Sequence, residues 1–518
     1  MIWVEDIMVA KEGSDFADYV ISKFDYRLFF LVFCCIFFVA YFCVFYKKKV
    51  EMNFKIILPA LLIGAGLIWY APNTLGEVEE VNWDSWKNKR YVYEQFNDQN
   101  KTMQLSGLYQ YTMRDVYQTF IKKKNVNASS YEKLDEFYEN KEEFTSNDYT
   151  GLFEGKNVIV VMMESMDDWV ITEETTPALY YLMNNGINFD NYFAPVFGAG
   201  GTFNAEFTLN TGFHSPSSGN AAYAFNKNVF PQSLANVFKE NGYSVNSFHY
   251  NTGAFYNRTI MHETFGYDNH YSFLDMGYSE DDAIFDSILM TDDNLYDKFM
   301  NNEEPFLNFF ITYSNHLPYN LDDLICNTNL KKYPELWDAT KDEEMNCLAE
   351  KTKETDKFFE LMLKNLYDEG LLENTVIVGF ADHHLYGMQQ DVNSLNKEAK
   401  DGLTDCVPFF IYDFESSTTM NVDKVVNNTD ILPTVLNLFG FQPSKYYLGN
   451  DAFDPNYEGY AFYSNYTWYD GEIFNDGTLD YANDKIKKMN QLVQERIEIN
   501  NLVLESDYFS YLEKKDSN

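Results

Sequence analysis

A chain of 518 residues with 79 acidic and 39 basic side chains carries a formal charge of −40. That surface repels a phosphate backbone and no basic groove is visible in the pattern, which argues against nucleic acid as a partner. Six cysteines without CxxC or zinc-finger spacing rule out a cysteine metal cage. The length suits a large catalytic unit that uses most of the chain as one fold.

In chain order, two apolar stretches come first. Residues 28–46 hold no charge, and a second stretch at about 54–72 ends near Trp69 and Tyr70. Each is close to the length that crosses a bilayer, which predicts two membrane helices in a 1–74 anchor. Lys47, Lys48 and Lys49 lie between them, and the positive-inside rule places that loop in the cytoplasm. The acidic remainder is then a catalytic domain outside a two-pass cell-membrane protein. Cys34, Cys35 and Cys43 fall in the first stretch. Of Cys326, Cys347 and Cys406, at least one stays unpaired, and a Cys326–Cys347 bridge is left open.

Residues 75–150 read as a helical connector, with Leu108, Tyr111, Val116 and Phe120 predicted to share one face of a helix over 106–124. From 151 to 445 strand and helix signals alternate. This predicts an α/β catalytic domain with a mainly parallel sheet sandwiched by helices. Strands are expected at 157–163, 243–249, 306–313, 375–380 and 407–412, and helices at 177–185, 203–210, 231–241, 345–369 and 429–439. Thr429 is the expected cap of the last helix and Gly440 its stop. Residues 446–518 complete the domain as a small α+β part, with short antiparallel strands over 445–480 and closing helices over 482–513.

The chemistry collects where the strands end. Glu164 closes NVIVVMME, Asp382 and His383 close TVIVGFADHH, and Thr202 sits in GAGGTFNAEF. In open α/β sheets the ligand crevice lies outside the carboxyl ends of the strands. Two carboxylates and an imidazole suit one divalent cation, with the Thr202 hydroxyl as fourth ligand and, once its pKa is lowered, as nucleophile. Gly198, Gly200 and Gly201 permit close backbone approach, and the helix after them aims its amino terminus at an anion. All seven histidines lie between His214 and His384. His249 and His316 end strand-like runs and Arg258 follows soon after, a set able to neutralise a phosphoryl group. His214, His262, His270 and His384 lack such placement and read as ordinary histidines.

Taken together, these motifs resemble the lipoteichoic acid synthases, phosphoglycerol transferases of the alkaline phosphatase and sulfatase superfamily. The resemblance covers about 155–440 and rests on VMMES, TTPALYYLMNNGINFDNYFAP, GAGGTFNAEF, FHYNTGAFYNR, SNHLPY, ADHH and TDILPTVLNLFG. It implies one cation on Glu164, Thr202, Asp382 and His383, with Mn2+ ahead of Mg2+ or Zn2+. It places His249, Tyr256, Arg258 and His316 at the phosphoglycerol group, with Thr202 and His316 catalytic. The implied donor is phosphatidylglycerol, and the acceptor a polyglycerolphosphate chain or a glycolipid or other glycan. Two departures stand out: fewer membrane helices than the family usually has, and Tyr256 and Asn251 where relatives often carry Trp and an acidic residue. The alternatives are a phosphatase or phosphodiesterase, a sulfatase-like hydrolase, a phosphoethanolamine transferase, and a non-catalytic binding protein. Thr202 cannot become the formylglycine that sulfatases need. Three cysteines cannot supply the several disulfides usual in phosphoethanolamine transferases. The DHH run lacks a second ligand set for a two-metal hydrolase.

Overall fold

The computed structural model describes residues 126–516 with breaks at 198–200, 217–220, 280–284, 301–304, 389–402, 404, 416–417 and 476–482, and parts of 37–117. The chain divides into two compact units, Met1–Phe120 and Ile121–Asn518, a boundary inside the predicted connector.

In the first unit the predicted spans at 28–46 and 54–72 lie largely outside the described residues. Among the described residues no helix is long and apolar enough to cross a membrane. Two helices follow, α1 (Lys89–Gln95) and α2 (Gln99–Val116). The Asn88 side chain accepts from the Arg90 and Tyr91 amides and so satisfies the free N–H groups at the start of α1. Gly107, at φ 74°, breaks the helical path of α2. Leu108 therefore begins a new turn and stands 63% exposed while Tyr111 is buried, so the predicted shared face does not form. Phe120 is outside the described residues.

The second unit opens with α3 (Ala128–Asn140), whose Asn127 and Ser130 exchange side-chain and backbone hydrogen bonds in a capping box. An eight-stranded sheet follows. Its strands are β1 (Asn157–Met163), β2 (Ile187–Phe189), β4 (Ser244–His249), β5 (Asn269–Ser272), β6 (Phe306–Ile311), β7 (Thr375–Ala381), β8 (Phe409–Asp413) and β9 (Met420–Val422). Between β2 and β4 lies β3 (Tyr192–Phe193), which pairs instead with β10 (Val426–Asn427). The sheet runs β5-β4-β6-β1-β7-β8-β2-β9, parallel except where β8 meets β7 and β2. The central strand β1 is buried along its whole length, as expected for a run of Val, Ile and Met covered on both faces. Gly379 in β7 has a packing reason: a Cβ there would stand 2.3 Å from the Phe410 ring of β8.

Of the predicted boundaries that shift, two have a clear local reason. β6 stops at Ile311 rather than 313, because the amides of Tyr313 and Ser314 donate to the Asp286 carboxylate at 2.8 Å each instead of to a neighbouring strand. The helix expected at 429–439 is capped by Asn427, not Thr429. The Asn427 side chain accepts from the Thr429 amide, and the helix proper runs Ile431–Leu438 before Gly440 turns at φ 76°. Residues 461–475 form three short antiparallel strands, and Asp484–Ser506 and Tyr508–Asp516 close the fold.

Cys326 and Cys347 are joined with Cα atoms 5.2 Å apart, and Cys406 is buried and outside any disulfide. The bridge pins helix Leu324–Lys332 to helix Glu343–Asp368 and closes a loop of 21 residues. Restricting the unfolded chain in this way is worth about 3 kcal/mol. Urea unfolding with and without reductant should differ by that amount; coincident curves would contradict it.

Candidate active site

The site is stitched together at the carboxyl ends of three neighbouring strands. After β1 the Glu164 amide donates to Thr312 Oγ1 at 2.9 Å, just past β6. The Ser165 amide donates to Asp382 Oδ1 at 2.9 Å, just past β7. Ser165 adopts φ 47°, an uncommon conformation for a residue with a Cβ, and its hydroxyl donates to Glu164 Oε1 at 2.7 Å. Asn315 closes the ring by donating from Nδ2 to the Ser165 carbonyl at 2.6 Å. The carboxylates are thus held by backbone and side-chain bonds rather than left to loop freedom.

Thr202 reaches this cluster from the first turn of a buried helix, Gly201–Thr211, and its hydroxyl donates to Glu164 Oε2 at 2.9 Å. Gly201 makes the approach possible, since a Cβ there would lie 2.9 Å from His383 Cδ2. Gly198 and Gly200 lie outside the described residues.

One ligand atom each from Glu164, Asp382 and His383 fall within 4.8 Å of one another, and all three residues are buried. His383 Nδ1 lies 3.0 Å from the His384 carbonyl, a contact that needs an N–H. Nε2 then presents a lone pair, 3.6 Å from Glu164 Oε1 and 3.3 Å from Asp382 Oδ2. Both His383 Nε2 and Asp382 Oδ2 are buried without a hydrogen-bond partner. Lone pairs facing one another in a dry site repel unless a cation or proton lies between them, so the donor set fits a divalent cation. Burial and the nearby Glu164 push the Asp382 carboxyl well up. For Glu164 burial acts in the same direction, but His316, His383, Ser165 and Thr202 hold its carboxyl below the usual range.

Around this centre stand the other residues singled out from sequence. His249 ends β4, is 1% exposed, and sets Nδ1 2.8 Å from the Ile311 carbonyl, leaving Nε2 buried without a partner. Burial and the Arg258 charge hold its pKa well down, so it stays neutral. His316 is half-buried, with Nδ1 2.8 Å from the Leu317 carbonyl and its ring stacked on Tyr313 at 5.1 Å. Burial lowers its pKa, against the pull of Glu164. Arg258 is 1% exposed; Nε donates to Glu206 while Nη1 is buried without a partner. Tyr256, in the left-handed region at φ 52°, lies under the Arg258 guanidinium at 5.4 Å.

Sequence reasoning missed several neighbours. His262 and His270, read as ordinary, belong to a buried polar chain behind Arg258, and His384 Nδ1 pairs with Asp405 at 2.7 Å. Tyr386 packs on the His383 ring at 4.5 Å, and buried Lys351 donates to Asp323 and to the Pro318 carbonyl near His316. One signal was present in the spacing. Glu206 follows Thr202 by four residues and His262 follows Arg258 by four, which puts each pair on one helix face.

His214 is a packed core histidine, stacked on Phe197 at 3.9 Å. Burial pushes its pKa down to about 3, against 6.5 in the open chain. Above pH 6.5 both states are neutral and the contribution is fully present. As pH falls from 6.5 towards 3 only the unfolded state takes the proton, so stability is lost. His214→Phe should be less acid-sensitive than the parent by about 2–3 kcal/mol at pH ~4.5; parallel stability–pH curves would contradict this.

The sequence pattern of the sulfatase family matches residues 156–441. The chain is 26% identical over 461 residues to lipoteichoic acid synthase 1 of Bacillus subtilis (strain 168), a match covering 81% of this chain and 69% of that protein. It is 24% identical over 400 residues to the lipoteichoic acid synthase of Staphylococcus aureus (strain USA300), covering 71% of this chain and 60% of that one. Among solved structures, the lipoteichoic acid synthase LtaP from Listeria monocytogenes superposes with a TM-score of 0.60 at 21% identity, over 72% of this chain and 98% of that chain.

Proposed function

Because the chain belongs to the sulfatase family, we propose that its threonine site is that of a phosphoglycerol transferase, taking glycerol phosphate from phosphatidylglycerol and passing it to a polyglycerolphosphate, glycolipid or other glycan acceptor. The observation that carries this reading is the Thr202 hydroxyl. It sits 2.9 Å from Glu164 beside Asp382 and His383, and by resemblance it stands where a sulfatase requires an oxidisable cysteine or serine. A threonine there serves as a nucleophile and cannot become an aldehyde.

Glu164, Thr202, Asp382 and His383 would hold one divalent cation, manganese ahead of magnesium or zinc. When bound, the ion supplies positive charge beside the hydroxyl and the phosphoryl oxygens. In the first step Thr202 Oγ1 gives its proton to Glu164 Oε2 and bonds to phosphorus, and the phosphorus–oxygen bond to diacylglycerol breaks, leaving phosphoglycerol on the threonine. His316, in its protonated form, gives the departing oxygen its proton. In the second step an acceptor hydroxyl bonds to phosphorus and gives its proton to His316 while the bond from phosphorus to Thr202 breaks and Thr202 recovers its proton from Glu164, so that the enzyme is regenerated. Arg258 Nη1, buried and without a protein partner, supplies a donor for a phosphoryl oxygen, while His249 Nε2, its ring proton held on Nδ1 by the Ile311 carbonyl, accepts from a hydroxyl of the glycerol group. The apolar stretches at 28–46 and 54–72 anchor the enzyme beside its lipid donor, with the catalytic domain outside the cell.

The test is diacylglycerol release by the full-length chain in detergent with manganese. Phosphatidylglycerol should be consumed and phosphatidylethanolamine largely spared. Arg258→Ala should slow the reaction by about 10- to 100-fold, since a charged hydrogen bond to phosphate is lost. Preference for the ethanolamine lipid would overturn the substrate class. Release of free glycerol phosphate at full speed without an acceptor would instead favour a hydrolase.

A further inference from the structure

Behind the proposed phosphate-binding arginine runs a line of buried polar groups that the mechanism above does not use. Arg258 Nε donates to Glu206 Oε2 at 2.9 Å, and the other oxygen of that carboxylate lies 2.7 Å from His262 Nε2. His262 Nδ1 is 2.7 Å from Ser247 Oγ, which in turn is 2.9 Å from His270 Nδ1. The side chains of Arg258, Glu206 and His262 are 1%, 0% and 0% exposed. Burial alone would raise the Glu206 carboxyl, but Arg258 and His262 hold it below the usual range, so it is charged.

The hydrogen-bond roles follow from that charge. An ionised carboxylate only accepts, so His262 must carry a proton on Nε2, and its Nδ1 faces the Ser247 hydroxyl. His270, whose pKa burial holds well down, shares the same hydroxyl through Nδ1. Arg258 Nε and His262 Nε2 each meet one Glu206 oxygen, so both oxygens are occupied. A guanidinium held through Nε by such a group cannot swing about its long stem.

The covalent arrangement adds a coupling. Glu206 is one turn beyond Thr202 on the same buried helix, and His262 is one turn beyond Arg258 on helix Arg258–Phe265. The helix that presents the nucleophile therefore also presents the carboxylate that holds the arginine. We propose that Glu206 is a positioning residue: it fixes the Arg258 guanidinium relative to Thr202 so that Nη1 meets a phosphoryl oxygen, and His262 and Ser247 fix Glu206. This rests on the phosphoglycerol-transfer reading given above.

The experiment compares the full-length manganese-loaded chain with E206Q, E206D and S247A in two measurements: phosphatidylglycerol turnover in detergent, and calorimetric binding of inorganic phosphate. Gln keeps the shape of Glu206 but turns an amide N–H₂ towards Arg258 or His262, both donors. E206Q should raise KM about tenfold and weaken phosphate binding by a similar factor, with kcat changed less than about threefold. E206D, which keeps the charge, should recover part of that loss. S247A removes a single buried hydroxyl at the far end and should raise KM about threefold. An E206Q variant with parental KM and phosphate affinity would overturn the proposal, as would one that loses kcat at unchanged KM. If E206Q does not fold, S247A with parental values overturns it. Should the parent chain fail to turn over phosphatidylglycerol, the substrate reading falls, and phosphate affinity in E206Q against the parent still decides the role of Glu206.

Discussion

Thr202→Ala is expected to lower phosphatidylglycerol turnover by about three orders of magnitude or more, because the covalent route loses its only nucleophile. The fold should survive. Thr202 is 7% exposed and its hydroxyl makes a hydrogen bond to Glu164 at 2.9 Å, so the change leaves one carboxylate oxygen short of a donor, a loss of about 1–3 kcal/mol. Steady-state rates and a thermal melt on the same preparation separate the two effects. A variant that melts normally and keeps more than about a tenth of the activity would show that another group attacks phosphorus.

Asp382→Ala is expected to remove metal and activity together. Asp382 Oδ2 is one of the few oxygens available to a cation in this buried cluster, and it has no hydrogen-bond partner that would compete. Losing groups that merely orient a ligand weakens metal sites about 10- to 100-fold, and removing a ligand should exceed that. Manganese titration followed by elemental analysis of the desalted protein gives the occupancy. Full occupancy in Asp382→Ala, or two ions per parent chain, would contradict the one-cation assignment. Removing the other partner of the Ser165 amide also loosens the turn after β1, so the melt should fall modestly as well.

The parts of this site that were legible in the sequence are those fixed by burial. β1 and β7 are buried along their whole lengths and hold no polar side chain after Asn157 and Thr375 at their starts, so the polar residues that follow them announced the crevice. His249 ends β4, a run that alternates apolar with polar residues and is only partly buried at its start. The edge of the sheet was harder. β2, β5 and β9 have three or four residues each, too few for a periodic signal, and none was predicted. Helix caps were read to within two residues, with Asn427 taking the part expected of Thr429.

What the sequence hid is pairing across elements. Nothing local marks His262 as the partner of Glu206, since the two are 56 residues apart and meet only once helix Arg258–Phe265 packs beside the Thr202 helix. Ser247 and His270 meet through the register of β4 with β5, a strand too short to predict. The same holds for the Cys326–Cys347 bridge. Spacing allowed it, but only the packing of two helices brought the Cα atoms to 5.2 Å.

The central claim is a covalent phosphoglycerol-threonine. Intact-protein mass spectrometry of the full-length chain, quenched after incubation with phosphatidylglycerol and manganese without acceptor, tests it most directly. The parent should gain the mass of one phosphoglycerol group, mapped by peptide sequencing to Thr202, and Thr202→Ala should gain nothing. An adduct that persists in Thr202→Ala, or diacylglycerol release with no adduct at any time point, would contradict it.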